Sequence, residues 1–192
     1  MGKIIVSENV SLDGIGQDPT GDEGFRAGGW FGQIDQRDHD AWAEAELDEA
    51  LGAEALLLGR RTYEFFAARW PSRTGRWADR LNSLPKHVVS ATLPDPQWNN
   101  TTVLTGDPLR QVGALRRNVN GDIVVYGSFR LVHALVEHDL VDELRLMVFP
   151  FMLGAGDRPF GDTSATKRLR LVEVRTVGDG LVLLTYERRP GR

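Results

Sequence analysis

One stretch, Asp122 to Phe160 (DIVVYGSFRLVHALVEHDLVDELRLMVFPFMLGAGDRPF), limits the folds open to this chain more than any other. It opens with Ile123-Val124-Val125-Tyr126, a β-branched apolar run too short for a helix. Gly127-Ser128 breaks the run. Apolar residues then recur at Leu131, Leu135 and Val136, a helical spacing with Ser128 placed as N-cap. A second long apolar run, Leu144 to Leu153, ends at Gly154-Ala155-Gly156. Strand, glycine turn and helix make the unit that commonly holds an anion at a helix N-terminus.

The same alternation runs through the chain from its start. Lys3 to Val10 reads as a buried strand that leaves through Ser11-Leu12-Asp13-Gly14. Gly16 to Gly32 is a long Gly- and Asp-rich loop carrying Phe25, Trp30 and Phe31. A loop of that length is either functional or a surface excursion whose aromatics plug the core. Asp38 or Asp40 is placed to cap a helix running to about Leu51, with Glu44, Glu46, Asp48 and Glu49 forming an acidic, solvated face. Ala53 to Leu58 is a second strand, followed by Gly59-Arg60-Arg61-Thr62 and a helix from Thr62 to about Arg69. Here a glycine permits close backbone approach, two arginines supply charge and a threonine opens a helix, as a phosphate group requires.

Further along, a helical piece spans Trp77 to Leu84, strands span Lys86 to Ser90 and Thr101 to Leu104, and Pro108 opens a helix through about Arg117. After Asp139 the alternation stops. Asp142 to Leu153, Arg168 to Val177 and Leu181 to Arg188 read as strands, the last two joined by the hairpin turn Gly178-Asp179-Gly180. The expectation is one α/β domain over residues 1–192, a mostly parallel sheet with an antiparallel C-terminal hairpin. In such sheets ligands bind at the carboxyl ends of the strands, where Ser11–Gly14, Gly59–Thr62, Ser90–Thr92, Thr105–Asp107 and Gly127–Arg130 fall. Neither GxGxxG nor a P-loop is present.

Composition narrows the chemistry. The 192 residues contain no cysteine, which excludes disulfides, thiolate metal sites and a cysteine nucleophile. His39, His87, His133 and His138 show no ligand spacing, so no metal is expected. The formal charge of -4, without a basic stripe, argues against nucleic acid as a partner. No apolar run approaches the ~18 residues of a membrane span, and no basic leader precedes the first strand, so a cytoplasmic protein is expected.

In order and spacing, five motifs resemble the dihydrofolate-reductase-like superfamily. The branch they resemble most is the C-terminal reductase domain of the bifunctional riboflavin-biosynthesis deaminase/reductase. They are Ser11-Leu12-Asp13-Gly14; Leu58-Gly59-Arg60-Arg61-Thr62-Tyr63-Glu64; Lys86-His87-Val88-Val89-Ser90-Ala91-Thr92-Leu93; Tyr126-Gly127-Ser128; and Leu140-Val141-Asp142-Glu143-Leu144, running on to Pro150, Leu153-Gly154-Ala155-Gly156 and Phe160. The resemblance implies a three-layer α/β/α fold, NADPH as cofactor and a homodimer. By the same resemblance, Gly59, Arg60, Arg61 and Thr62 are the phosphate-binding loop, and Ser90 and Thr92 lie beside the adenosine ribose. Gly127, Ser128, Phe129 and Arg130 form the turn facing pyrophosphate and nicotinamide, while Asp13 and Gly14 sit in a closing loop. Gly127-Ser128 departs from the Gly-Gly pair of dihydrofolate reductases, and a cis bond, costing ~3 kcal/mol or more, is not expected there.

The resulting expectation is an NADPH-dependent reductase of a small heterocyclic, carbonyl or imine compound. Asp13 and Glu44 are the candidate proton-handling groups, with Glu46 near the same position, and Trp30 and Phe31 are candidate pocket walls. The alternatives are a non-catalytic NADP(H)- or small-ligand-binding homodimer of the same fold, or a structural module whose Arg60 and Arg61 make surface ion pairs.

Overall fold

A strand as apolar as KIIV needs cover on both faces, and Lys3–Ser11 (β1) has it. It lies between Asp122–Tyr126 (β5) and Glu143–Phe149 (β6), parallel to both. The computed structural model describes residues 1–189. On the far side of β5 come Ala53–Gly59 (β2), Lys86–Val89 (β3) and Thr101–Leu104 (β4), all parallel. Beyond β6, Leu181–Arg188 (β8) and Leu169–Val177 (β7) add antiparallel strands, giving the sheet order β4-β3-β2-β5-β1-β6-β8-β7. The apolar run after Asp139 therefore lies in the sheet interior, as its composition required.

Alternate residues of the central strands feed two helical layers. Ile5, Leu56 and Val124 face Gln36–Gly52 (α1), Arg60–Ala67 (α2) and Arg76–Ser83 (α3). Ile4, Val6 and Ile123 face Pro108–Asn118 (α4) and Phe129–Glu137 (α5). This is the expected three-layer α/β/α arrangement. No helix among the described residues is long and apolar enough to cross a membrane.

Three boundaries differ from the sequence expectation. Helix α1 is capped not by Asp38 or Asp40 but by Asp35, whose carboxylate accepts the Asp38 N–H at 2.8 Å. Asp38 instead turns inward and accepts the N–H groups of Asp179 and Gly180 at 2.6 and 3.1 Å, fastening the β7–β8 turn to α1. The carboxylate lies so close that a Cβ at Gly178 would collide with it, and Gly178 has φ +63, so only glycine fits. Helix α2 begins at Arg60 rather than Thr62, which moves both arginines from the loop into a helical first turn. Strand β6 stops at Phe149, before Pro150.

The long loop resolves in favour of core filling at one end. Trp30, in a short 3-10 turn (Trp30–Gln33), is fully buried and meets Phe149 edge-on at 5.0 Å. Its indole N–H donates to the Gln17 carbonyl at 3.0 Å.

Because Asp38 satisfies two backbone donors of a hairpin that no other side chain holds in this way, Asp38→Ala is expected to cost about 2 kcal/mol in urea unfolding. The exposed neighbour substitution Asp40→Ala should change stability by no more than ~0.5 kcal/mol.

Candidate active site

Neighbouring parallel strands β2 and β5 end side by side, and each opens a helix that no side chain caps. Two hydroxyls lock these ends together. Ser128 Oγ accepts the Gly59 N–H at 2.9 Å and donates to the Tyr126 carbonyl at 3.1 Å. In return, Thr62 Oγ1 accepts the Ser128 N–H at 2.9 Å. Ser128 occupies the N-cap position of α5, but its side chain is spent across the sheet, contrary to the simple capping expected from sequence. Gly127 and Ser128 both have left-handed backbones, φ +52 and +60, and no described peptide bond is cis. A Cβ at Gly127 would press on Thr62 Oγ1 at 3.3 Å. Uncapped first-turn N–H groups are partial positive charges. Two such sets, fixed next to one another, make a cradle with the donors that a diphosphate needs.

Other predicted loops converge on the same sheet edge. Arg60 donates to Thr92 Oγ1 at 2.5 Å and to Glu64 at 2.7 Å, tying the start of α2 to the loop after β3. Ser90 shapes that loop by accepting the N–H groups of Thr92 and Leu93 at 3.1 and 3.0 Å. Arg61 is exposed and makes no ion pair among the described residues. Phe129 is half-buried with its ring against Gly16, and Arg130 is exposed.

Asp13 has a different occupation from the one expected. Its carboxylate accepts from Ser11 Oγ at 2.6 Å, Leu153 N–H at 3.1 Å and Gly154 N–H at 2.8 Å, clasping the loop after β6. The Ser11 hydroxyl first, then these backbone donors, hold its pKa down to about 2. A group so held is a poor proton donor at neutral pH. Gly14, beside it, has φ +79 and opens toward Arg158. Of the two aromatic walls, Trp30 is core, whereas Phe31 is half-buried and touches Trp42 at 4.9 Å.

Of the two candidate acids, α1 turns Glu46 toward the sheet, not the exposed Glu44, which lies two residues and some 200° away around the helix. Glu46 is buried beside Asn9, Trp42 and Glu49, and burial first, then the Glu49 charge, raises its pKa to about 8. Trp42 reaches Asn9 Oδ1 at 2.9 Å. Glu49 pairs with Arg145 at 2.9 Å, and Arg145 also holds Glu143 at 2.6 Å. Four buried polar atoms in this region, Glu8 Oε1, Glu49 Oε1, Tyr126 Oη and Trp77 Nε1, have no partner. Burial, then Glu49 and Glu46, raises the Tyr126 phenol well above its usual range. Glu8 on β1 is also buried, and desolvation raises its pKa well above the carboxylate range despite a hydrogen bond from the Gly127 backbone. Sequence reading passed over Glu8 and Tyr126. The available signal was an acid inside the buried run KIIVSENV and a phenol closing the run before Gly127.

Comparison with known proteins adds the family. Residues 2–183 match the model of the RibD C-terminal domain. The chain belongs to this family. Bacillus subtilis YyaP, an uncharacterized protein, is 28% identical over 138 residues, 69% of this chain and 73% of YyaP. A Shewanella sp. PV-4 structure named for riboflavin biosynthesis superposes with a TM-score of 0.76 at 21% identity, covering 98% of this chain and 99% of its own. Dihydrofolate reductase from Enterococcus faecalis, solved with NADP(H), gives 0.62 at 16% identity over 98% of both chains. The fold of this RibD C-terminal domain is dihydrofolate-reductase-like.

The raised Glu46 pKa fixes a sign for pH dependence. Between the ordinary value near 4.5 and about 8, the unfolded chain loses this proton while the folded one keeps it. The Glu46 contribution to stability therefore falls as pH rises through that window. Melting temperatures measured from pH 5 to 8 should decline less steeply in Glu46→Gln than in the wild type.

Proposed function

We propose that this protein is an NADPH-dependent reductase of a small planar heterocycle, or of a related carbonyl or imine compound. The observation that carries the reading is the hydroxyl lock that sets two uncapped helix starts side by side, with the exposed Arg61 on the first turn of one of them. Membership of the RibD C-terminal domain family supports it, as does a fold shared with a reductase solved with NADP(H).

NADPH, when bound, supplies a hydride. The first-turn N–H groups of α2 and α5 would hold its diphosphate, with Gly59 and Gly127 letting that group approach the backbone. Arg61, and Arg60 through its tie to Thr92, would meet the 2′-phosphate. Ser90 and Thr92 would lie beside the ribose. Glu46 keeps its proton at neutral pH and can offer a hydrogen bond, or the proton itself, to a nitrogen or oxygen of the substrate. Trp42 and Phe31 give that group an aromatic wall. Asp13, with its pKa held down to about 2, holds the loop after β6 against the end of β1 rather than supplying a proton. A cytoplasmic setting, where NADPH is supplied, belongs to the same reading.

Titrating NADPH into the protein tests cofactor binding, and no saturation by ~1 mM would overturn the proposal. Arg61→Ala should weaken NADPH roughly 10–100-fold, the worth of a charge-assisted bond, while NADH changes by less than ~3-fold. Equal losses for both cofactors would remove Arg61 from the phosphate role. Across a panel of pterins, pyrimidinones and quinones, Glu46→Gln should lower kcat roughly 100-fold with NADPH affinity retained. NADPH bound but never oxidised across the panel would favour the non-catalytic, ligand-binding alternative.

A further inference from the structure

Three parallel strands run beneath α1, and their register puts Tyr126 of β5, Ser7 of β1 and Arg145 of β6 in one row. Glu46 and Glu49 stand three residues apart on α1, so their side chains share the helix face turned toward that row. Both are shielded from water, Glu46 at 8% exposure and the Glu49 side chain at 9%.

The two acids differ in their partners. Arg145 Nη1 donates to Glu49 Oε2 at 2.9 Å, and Arg145 Nε donates to Glu143 Oε1 at 2.6 Å. Glu143 is in turn bound by Lys3. The guanidinium is therefore gripped from two sides, and swinging it toward Glu46 would break both pairs. Glu46 forms no ion pair among the described residues. Its contacts are Asn9 and Trp42, whose hydrogen bonds favour the ionised carboxylate. Something has to outweigh those two donors if Glu46 is to keep a proton. We propose that Glu49 and Arg145 are positioning residues for Glu46: the guanidinium fixes a negative charge on Glu49, and that charge assigns the one proton of the pair to Glu46.

Neighbouring carboxylates away from water strongly disfavour ionising together, so one of the two retains a proton. Placing it on Glu49 would forfeit the Arg145 ion pair, whereas placing it on Glu46 breaks none. The surrounding groups leave this order in place. Glu8, from β1, is buried and adds charge of the same sign when ionised. Tyr126, from β5, is kept a neutral phenol by burial and by both glutamates. Arg80, from α3, is committed to the Ala50 and Ala53 carbonyls at the end of α1. His39, on α1 itself, lies against the Trp42 ring at 5.5 Å. The use of the proton rests on the reductase reading above: it passes from Glu46 to a substrate nitrogen or oxygen and is replaced from water. The electrostatics of the pair do not depend on that reading.

The pair can be read directly by NMR titration of isotope-labelled glutamate carboxyl carbons in the full chain, with Glu46 assigned by its loss in Glu46→Gln. In the wild type Glu46 should titrate near pH 8. In Glu49→Gln that midpoint should fall by about one pH unit or more. Asp48→Asn, exposed on the same helix, should move it by less than ~0.3 of a pH unit, as expected for a screened charge. Arg145→Met, which frees Glu49 to compete for the proton, should split the Glu46 curve into two steps, and Arg145→Lys should restore one. With a substrate that turns over, the alkaline limb of kcat should move to lower pH in Glu49→Gln by the same amount. A purely structural role would instead lower kcat equally at every pH. An unmoved Glu46 midpoint in Glu49→Gln overturns the inference, as does a single unshifted step in Arg145→Met. Should Glu49→Gln fail to fold, the two Arg145 variants decide. The titration needs neither cofactor nor substrate, so its failure is distinct from a failure to bind NADPH.

Discussion

Ser128 and Thr62 hold the carboxyl edge of strands β2 and β5, the candidate site, together. Each hydroxyl accepts a backbone N–H from the opposite strand–helix junction, at 2.9 Å in both directions. The exchange leaves both helix starts uncapped, because the hydroxyl that could have capped α5 is committed to β2. Donors that a stable protein would ordinarily satisfy are thereby kept free and aligned. Ser128 holds a left-handed backbone in doing so, a conformation that costs a non-glycine residue something of the order of 1 kcal/mol and persists only where its surroundings enforce it.

The same edge tolerates a second expense. Glu46, Glu49, Glu8 and Tyr126 lie in or beside the core, and Arg145, which pairs with Glu49, is shared with Glu143. One guanidinium cannot neutralise so many acids. Burial therefore raises the pKa of Glu8 well above the carboxylate range and that of Glu46 to about 8. An acid that carries its proton at neutral pH, next to unpartnered polar atoms, is a costly arrangement for stability and a useful one for a reaction that must deliver a proton.

Asp13 and Asp38 show the opposite use of a carboxylate. Both accept backbone N–H groups from distant loops, Asp13 from Leu153 and Gly154, Asp38 from Asp179 and Gly180. These bonds turn an acid into a staple, and at Asp13 they also favour the charged form. From sequence, Asp13 was a candidate proton handler and Asp38 a helix cap. Nothing local distinguishes a staple from a catalyst, since the partners lie about 140 residues away.

Much of the architecture was legible in the residues themselves. Short β-branched runs, turn residues and helical spacing determined the strand–helix alternation, the C-terminal hairpin and the loops that gather at the carboxyl edge. They could do so because strand period, helix period and turn chemistry are local properties. Those same patterns placed Gly59, Arg60, Thr62, Gly127 and Ser128 at one sheet edge. What they could not decide was direction. Whether Glu44 or Glu46 faces the sheet turns on the true start of α1, set by Asp35. The apolar phase of β7 depends on a register shift seen only against β8. Whether Trp30 walls a pocket or fills the core depends on Phe149, far along the chain. Each outcome is settled by contacts between segments distant in sequence, and those contacts exist only once the tertiary structure has formed.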